Sequence, residues 1–126
     1  MKAMLLLVLL LAASASAIKI ILNEGNTTTL TETVKMGEAF QISLKSNPAT
    51  GFRWELKSKP IYSEYTGIDN FGEYQEPADL RSGAPGRQSF TFLGKNSGED
   101  HIVFTYERPW TKDGAKTLDS AIRVNE

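Results

Sequence analysis

The sequence predicts an all-β fold, a sandwich of about seven or eight short antiparallel strands. Three observations carry that expectation. Beyond residue 17, apolar and polar residues alternate with a period of two in segment after segment, the pattern of strands with one buried face. The segments are short and broken by Gly, Pro and Asn turns, as in sandwiches. The chain has no cysteine, so the domain holds together by apolar burial and not by a disulfide frame.

The first 17 residues stand apart. Met1-Lys2 gives a positive start, residues 3–13 are apolar and rich in leucine, and Ala15-Ser16-Ala17 supplies small residues at a cleavage site. This is the pattern of a secretory signal peptide, with a mature chain of residues 18–126. The apolar run is well short of the roughly 20 residues a membrane-spanning helix needs, and no later segment is apolar enough to span. A secreted protein, or one held in endosomal or lysosomal vesicles, is expected. The Asn26-Thr27-Thr28 triplet is a glycosylation acceptor pattern.

The elements follow in order. Ile18-Lys19-Ile20 and the threonine-rich run 27–34 open the domain. Phe40, Ile42 and Leu44 predict a strand over 38–45, and Phe52, Trp54 and Leu56 one over 51–58. Tyr62, Tyr65, Ile68, Phe71 and Tyr74 are spaced by three. That spacing suits either a bent strand or a helical turn, and it is read as a strand over 63–68 followed by a long loop. Phe90 and Phe92 mark 87–94, Ile102, Phe104 and Tyr106 mark 100–106, and Ile122 and Val124 mark 117–125. This count suggests an immunoglobulin-like β-sandwich in a single domain.

Several function classes are excluded. The net charge is −1 and there is no basic stripe, which argues against nucleic acid. Without cysteine there is no thiol chemistry, and no histidine cluster or acidic ladder suggests a metal. The one histidine, His101, follows Asp100 in a strand. Neighbours in a strand point to opposite faces, so the two do not form a base and its orienting partner. The protein is expected not to be an enzyme, to need no cofactor and to act as a monomer.

Three connections are unusual. If each turn reverses the chain, all three lie at the same end of the sandwich. The first is Asn47-Pro48-Ala49-Thr50-Gly51. Pro48 fixes its backbone, Asn47 can start the turn with a hydrogen bond, and Gly51 can take a positive φ where the strand resumes. Taken singly, this is ordinary turn chemistry. The second, Gly83-Ala84-Pro85-Gly86, has no bulky side chain and would let another backbone come close. The third runs from Arg108 to Gly114 and opens with Arg108-Pro109-Trp110, which puts a large aromatic residue just beyond a strand. Trp and Arg are the residues most enriched at binding hot spots. Trp54, in mid-strand between Phe52 and Leu56, reads instead as core.

These loops, in this order and on these strand ends, resemble the NPTTG, GxxG and RPW loops of the chagasin family of cysteine peptidase inhibitors. The resemblance covers nearly all of the mature chain. It implies an immunoglobulin-like fold whose three loops form a wedge that plugs the active-site cleft of papain-like (clan CA, cathepsin-type) cysteine peptidases. By this resemblance Thr50 would sit near the catalytic cysteine and histidine. Residues 83–86 would follow the non-primed cleft. Trp110 would pack on peptidase aromatics on the primed side, supported by Arg108 and Pro109. Two positions depart from the pattern: Ala49 replaces the first threonine of NPTTG, and Pro85 stiffens the GxxG loop. An adhesion or glycan-binding module would account for the fold and the secretion, but not for three matching loops. Mass analysis of the secreted protein should find Ile18 at its N-terminus; a mature protein that retains Leu5 to Leu11 would contradict the signal-peptide reading.

Overall fold

A computed structural model describes residues 18–23, 28–77 and 84–126. The leader, the Asn26 acceptor and Gly83 lie outside the described residues. Nine strands are described: β1 (Ile18–Asn23), β2 (Thr29–Lys35), β3 (Ala39–Ser46), β4 (Arg53–Leu56), β5 (Ser63–Tyr65), β6 (Glu73–Gln75), β7 (Gly86–Gly94), β8 (Gly98–Arg108) and β9 (Thr111–Asn125). They form two sheets. One has the order β1-β3-β7-β5, with β6 also pairing β7; the other is β2-β9-β8-β4.

The two sheets bury the alternating residues that the sequence marks. Phe40, Ile42, Leu44, Phe90 and Phe92 come from one sheet, and Ile102, Phe104, Leu118, Ile122 and Val124 from the other. Phe40 stacks on Phe92 with centroids 5.2 Å apart, and Phe90 meets Phe104 across the sandwich at 4.7 Å. Such aromatic pairs add specific geometry to plain apolar burial. Trp54 is core as expected, only 5% exposed, and its indole N–H donates to the Lys45 carbonyl at 2.9 Å.

The structure corrects three details. Pairing is not antiparallel throughout, because β1 pairs β3 and β2 pairs β9 in parallel. The N-terminal strands sit at the margins of the two sheets, one on each, where a strand from elsewhere in the chain can pair in either direction. The second departure falls in the expected long loop after residue 68. That segment contains β6, whose residues 73–75 pair with 89–87 of β7. All three β6 residues are exposed, so no alternation announces it. The third concerns the strand expected at 117–125, which extends back to Thr111. Its residues 112–117 are all exposed, and polar hairpin arms carry no apolar period to read.

The residue before His101 also has a structural task. Asp100 is buried and accepts from the backbone N–H groups of Ile61 and Tyr62 at 2.8 and 3.1 Å, fixing the chain where it enters β5. Replacing Trp54 by Ala removes a buried aromatic and an indole hydrogen bond. Chemical denaturation should show a loss of about 3–5 kcal/mol; a loss below about 1 kcal/mol would mean that the site is not core.

Candidate functional site

The register of the sheets puts the described parts of the three unusual connections at one end. Ser46, which precedes the Asn47 turn, pairs with Gly86, where β7 begins. Arg53, which follows that turn, pairs with Glu107, one residue before Arg108.

The Asn47–Gly51 loop is a tight turn. Pro48–Thr50 form one turn of 3₁₀ helix, with Thr50 N–H donating to the Asn47 carbonyl (3.2 Å) and Gly51 N–H to the Pro48 carbonyl (3.0 Å). The Asn47 side chain does not cap this turn; its backbone carbonyl accepts the hydrogen bond that starts it. That carbonyl accepts a second bond from the Thr50 hydroxyl at 2.7 Å. Gly51 has φ of 85°, a left-handed conformation that costs a side-chain-bearing residue roughly 1–2 kcal/mol. Pro48, Ala49 and Thr50 are exposed at the tip.

The Arg108 loop is shorter than expected. Arg108 pairs with Thr111, so only Pro109 and Trp110 lie in the turn. Trp110 is 71% exposed, unlike Trp54. Its ring edge lies over Gly51, where an added Cβ would come within 2.6 Å of the ring atom Cη2. Gly51 therefore meets two demands, positive φ and room for an indole.

Further contacts bind the two loops into one body. The Arg108 Nε donates to the Thr50 carbonyl at 3.0 Å, and the Tyr106 hydroxyl accepts from Asn47 N–H at 3.0 Å. The Arg108 guanidinium lies 4.4 Å from the centroid of Phe52. Phe52 stacks on Tyr106 at 5.2 Å, and Tyr106 meets Trp54 at 4.8 Å. A continuous stack thus runs from the core tryptophan to the cation that grips the tip. Gly114, with φ of 76°, lets the outgoing arm of the hairpin pass close to the edge of Phe52.

A charged network braces the hairpin. Lys112 Nζ donates to both Glu107 oxygens at 3.2 and 3.0 Å, and Lys57 lies 3.7 Å from the same carboxylate. The Lys112 hydrogen bond, and then the positive charges of Lys112 and Lys57, hold the Glu107 carboxyl below its ordinary pKa.

Of the second loop, Ala84, Pro85 and Gly86 are described. Gly86 is buried, and a Cβ there would collide with the Tyr74 ring and the Gln75 carbonyl. The close backbone approach expected at this glycine is therefore made by the chain's own β6. Ala84 is half-buried and Pro85 is exposed.

Phe52, Tyr106, Gly114 and Glu107 escape sequence reasoning as site residues. The readable signal was an aromatic on each flank, Phe52 directly after the first loop and Tyr106 two residues before Arg108. His101 lies elsewhere, exposed on the outer face and bonded to Asp119 at 3.0 Å. That bond raises its pKa above the ordinary histidine value.

Residues 33–124 match the family model described as Chagasin family peptidase inhibitor I42. The chain belongs to the chagasin family of peptidase inhibitors. Its curated relatives include Chagasin of Trypanosoma cruzi, 39% identical over 85 residues, a match covering 64% of this chain and 74% of that protein. Amoebiasin-1 of Entamoeba histolytica (strain ATCC 30459 / HM-1:IMSS / ABRM) is 35% identical over 104 residues, covering 81% and 93% respectively. Among solved structures, PbICP-C in complex with falcipain-2 matches with a TM-score of 0.62 and 25% identity, over 85% of this chain and 99% of that one. Chagasin-family membership gives an inhibitor, not an enzyme, and assigns the exposed end no catalytic task.

The geometry separates the two tryptophans and the glycine between the loops. Trp110→Ala should change thermal stability little, within about 0.5 kcal/mol, while weakening peptidase inhibition by at least about 2 kcal/mol. Gly51→Ala should lose about 1–3 kcal/mol of stability through backbone strain and weaken inhibition as well, since its methyl displaces the indole. Equal stability losses for Trp110→Ala and Trp54→Ala would overturn the distinction.

Proposed function

We propose that this chain is a reversible, tight-binding inhibitor of papain-like (clan CA) cysteine peptidases, acting as a monomer within or beyond the secretory pathway. Its three loops occlude the active-site cleft, with residues 47–51 at the centre, 83–86 on one side and 108–110 on the other. The observation that carries the reading is the lock between the two described loops. Arg108 holds the Thr50 carbonyl, and Trp110 rests on Gly51 while staying exposed.

The lock supports inhibition in two ways. A pre-ordered tip loses little conformational freedom on binding, so more of its contact energy appears as affinity. A nanomolar complex needs about −12 kcal/mol, and an interface of roughly 800 Å² per partner reaches that only with ordered anchors. Trp110 supplies such an anchor, largely exposed and with its ring edge set over Gly51.

The second way concerns resistance to cleavage. A peptidase needs an extended substrate whose scissile carbonyl can enter the oxyanion hole. At the tip the backbone is folded into a 3₁₀ turn, and the Thr50 carbonyl is already taken by Arg108. Pro48 and Pro85 further remove N–H groups that an extended substrate would use. With no cysteine in the chain, no mixed disulfide can form with the catalytic thiol. Inhibition is therefore steric occlusion, with no bond made or broken.

Calorimetric titration tests this directly. A papain-like peptidase whose catalytic cysteine is replaced by alanine should bind with nearly the affinity of the active enzyme, and the inhibitor should be recovered intact after long incubation with active enzyme. Loss of binding to the alanine variant, or a cut at Thr50-Gly51 that keeps pace with inhibition, would overturn the mechanism.

A further inference from the structure

Gln88 is the one large polar side chain at an inward position of β7, in line with Phe90 and Phe92, and it is 4% exposed. Its amide makes four hydrogen bonds. The Oε1 accepts from the Ser46 hydroxyl at 2.8 Å and from Trp54 N–H at 2.7 Å. The Nε2 donates to the Trp54 carbonyl at 3.0 Å and to the Phe71 carbonyl at 2.8 Å. With two donors and two acceptor positions, a primary amide is fully satisfied here.

The partners are informative. Trp54 lies in the other sheet, on edge strand β4. One side-chain amide engages both its N–H and its carbonyl, as the backbone of a neighbouring strand would. Ser46 is the last residue before the Asn47 turn, and Trp54 is the third after Gly51. Gln88 itself stands two residues beyond Gly86, the end of the second loop. One rigid planar group therefore grips both stems of the first loop and sits at the root of the second.

The geometry points to Gln88 as a positioning residue for inhibition, one that sets the first loop in register with the second without touching the peptidase. The assignment rests on the three-loop reading proposed above. Arg108 and Trp110 register the first loop against the third; Gln88 does the same toward the second, from inside the sandwich. No other side chain substitutes. A carboxylate would set its lone pairs against the Trp54 and Phe71 carbonyls. An apolar chain of similar size would leave the Trp54 N–H and carbonyl and the Ser46 hydroxyl buried without this partner and strip the half-buried Phe71 carbonyl of its donor.

Three variants decide it: Gln88→Met, Ser46→Ala, and Gln41→Met as a control. Gln41 makes its bond to Thr91 at 3.3 Å in the same sheet, away from the loops. The readouts are the inhibition constant against papain and native-state amide exchange, both well below the melting transition. Gln88→Met should weaken inhibition at least about tenfold and speed exchange at Thr50 and Gly51 more than at the core amides of Phe90 and Phe104. Gln41→Met should leave both unchanged. A folded Gln88→Met with the native inhibition constant, or one whose exchange rises equally at loop and core, reduces Gln88 to a stability residue and overturns the assignment. If Gln88→Met does not fold, Ser46→Ala decides: a loss of about threefold, with exchange raised only in the loop, supports the role, and no change in either contradicts it. A wild-type protein that inhibits no papain-like peptidase would sink the functional reading instead, while loop exchange would still judge Gln88.

Discussion

The placement of Phe52 between the Tyr106 ring and the Arg108 guanidinium is the constraint on which the exposed end depends. Remove that ring and Arg108 loses the surface that aims it at the Thr50 carbonyl. Tyr106 would keep its bond to Asn47 but lose its outer partner. The stack is anchored below by Trp54, whose indole is itself tied to Lys45. Packing order thus passes outward from a dense interior, where side chains have little freedom, to a tip that would otherwise be an ordinary surface turn. Cation–π contact with a partly covered ring strengthens the outer step.

The same end shows how the sandwich treats its edges. An edge strand offers unpaired backbone groups to any other chain. On β4 these groups are taken internally: Trp54 by the Gln88 amide, and Leu56 N–H by the Asn70 carbonyl at 2.7 Å. At the opposite margin, Lys19 donates to the β2 carbonyl of Thr33 at 2.8 Å and pairs with Glu32 at 3.2 Å. Edge protection and loop placement are joined on β4, because the Gln88 amide that covers Trp54 also holds the stems of the first loop. A protein that meets peptidases gains from both, since a satisfied edge frays less readily into the extended form a protease can cut.

Much of this architecture was legible in the sequence because burial leaves a period. Phe40, Ile42 and Leu44, or Ile102 and Phe104, could only be strands with one face inward. The loop motifs were legible as residue types with fixed backbone preferences, and Gly51 took the positive φ its position suggested. What did not show was whatever lacked a period. The exposed β6 residues, the polar arm 112–117 and the parallel pairing of β1 and β2 are set by tertiary partners. Gln88 was not read as a site residue: its four hydrogen bonds go to Ser46, Trp54 and Phe71, which lie up to 42 residues away in the chain. The contact of Trp110 with Gly51 likewise needed the fold to bring two separate turns together.

The loop end proposed to occlude the peptidase is already assembled in the free protein. Backbone ¹⁵N relaxation of the uncomplexed chain tests it most directly. If the stack and the Arg108 bond hold the loops, order parameters at Ala49, Thr50, Gly51 and Trp110 should be near about 0.85, as in the sheets, and should change little when a papain-like peptidase is bound. Values below about 0.6 in the free protein that rise on binding would contradict the account, for the wedge would then be built by its target.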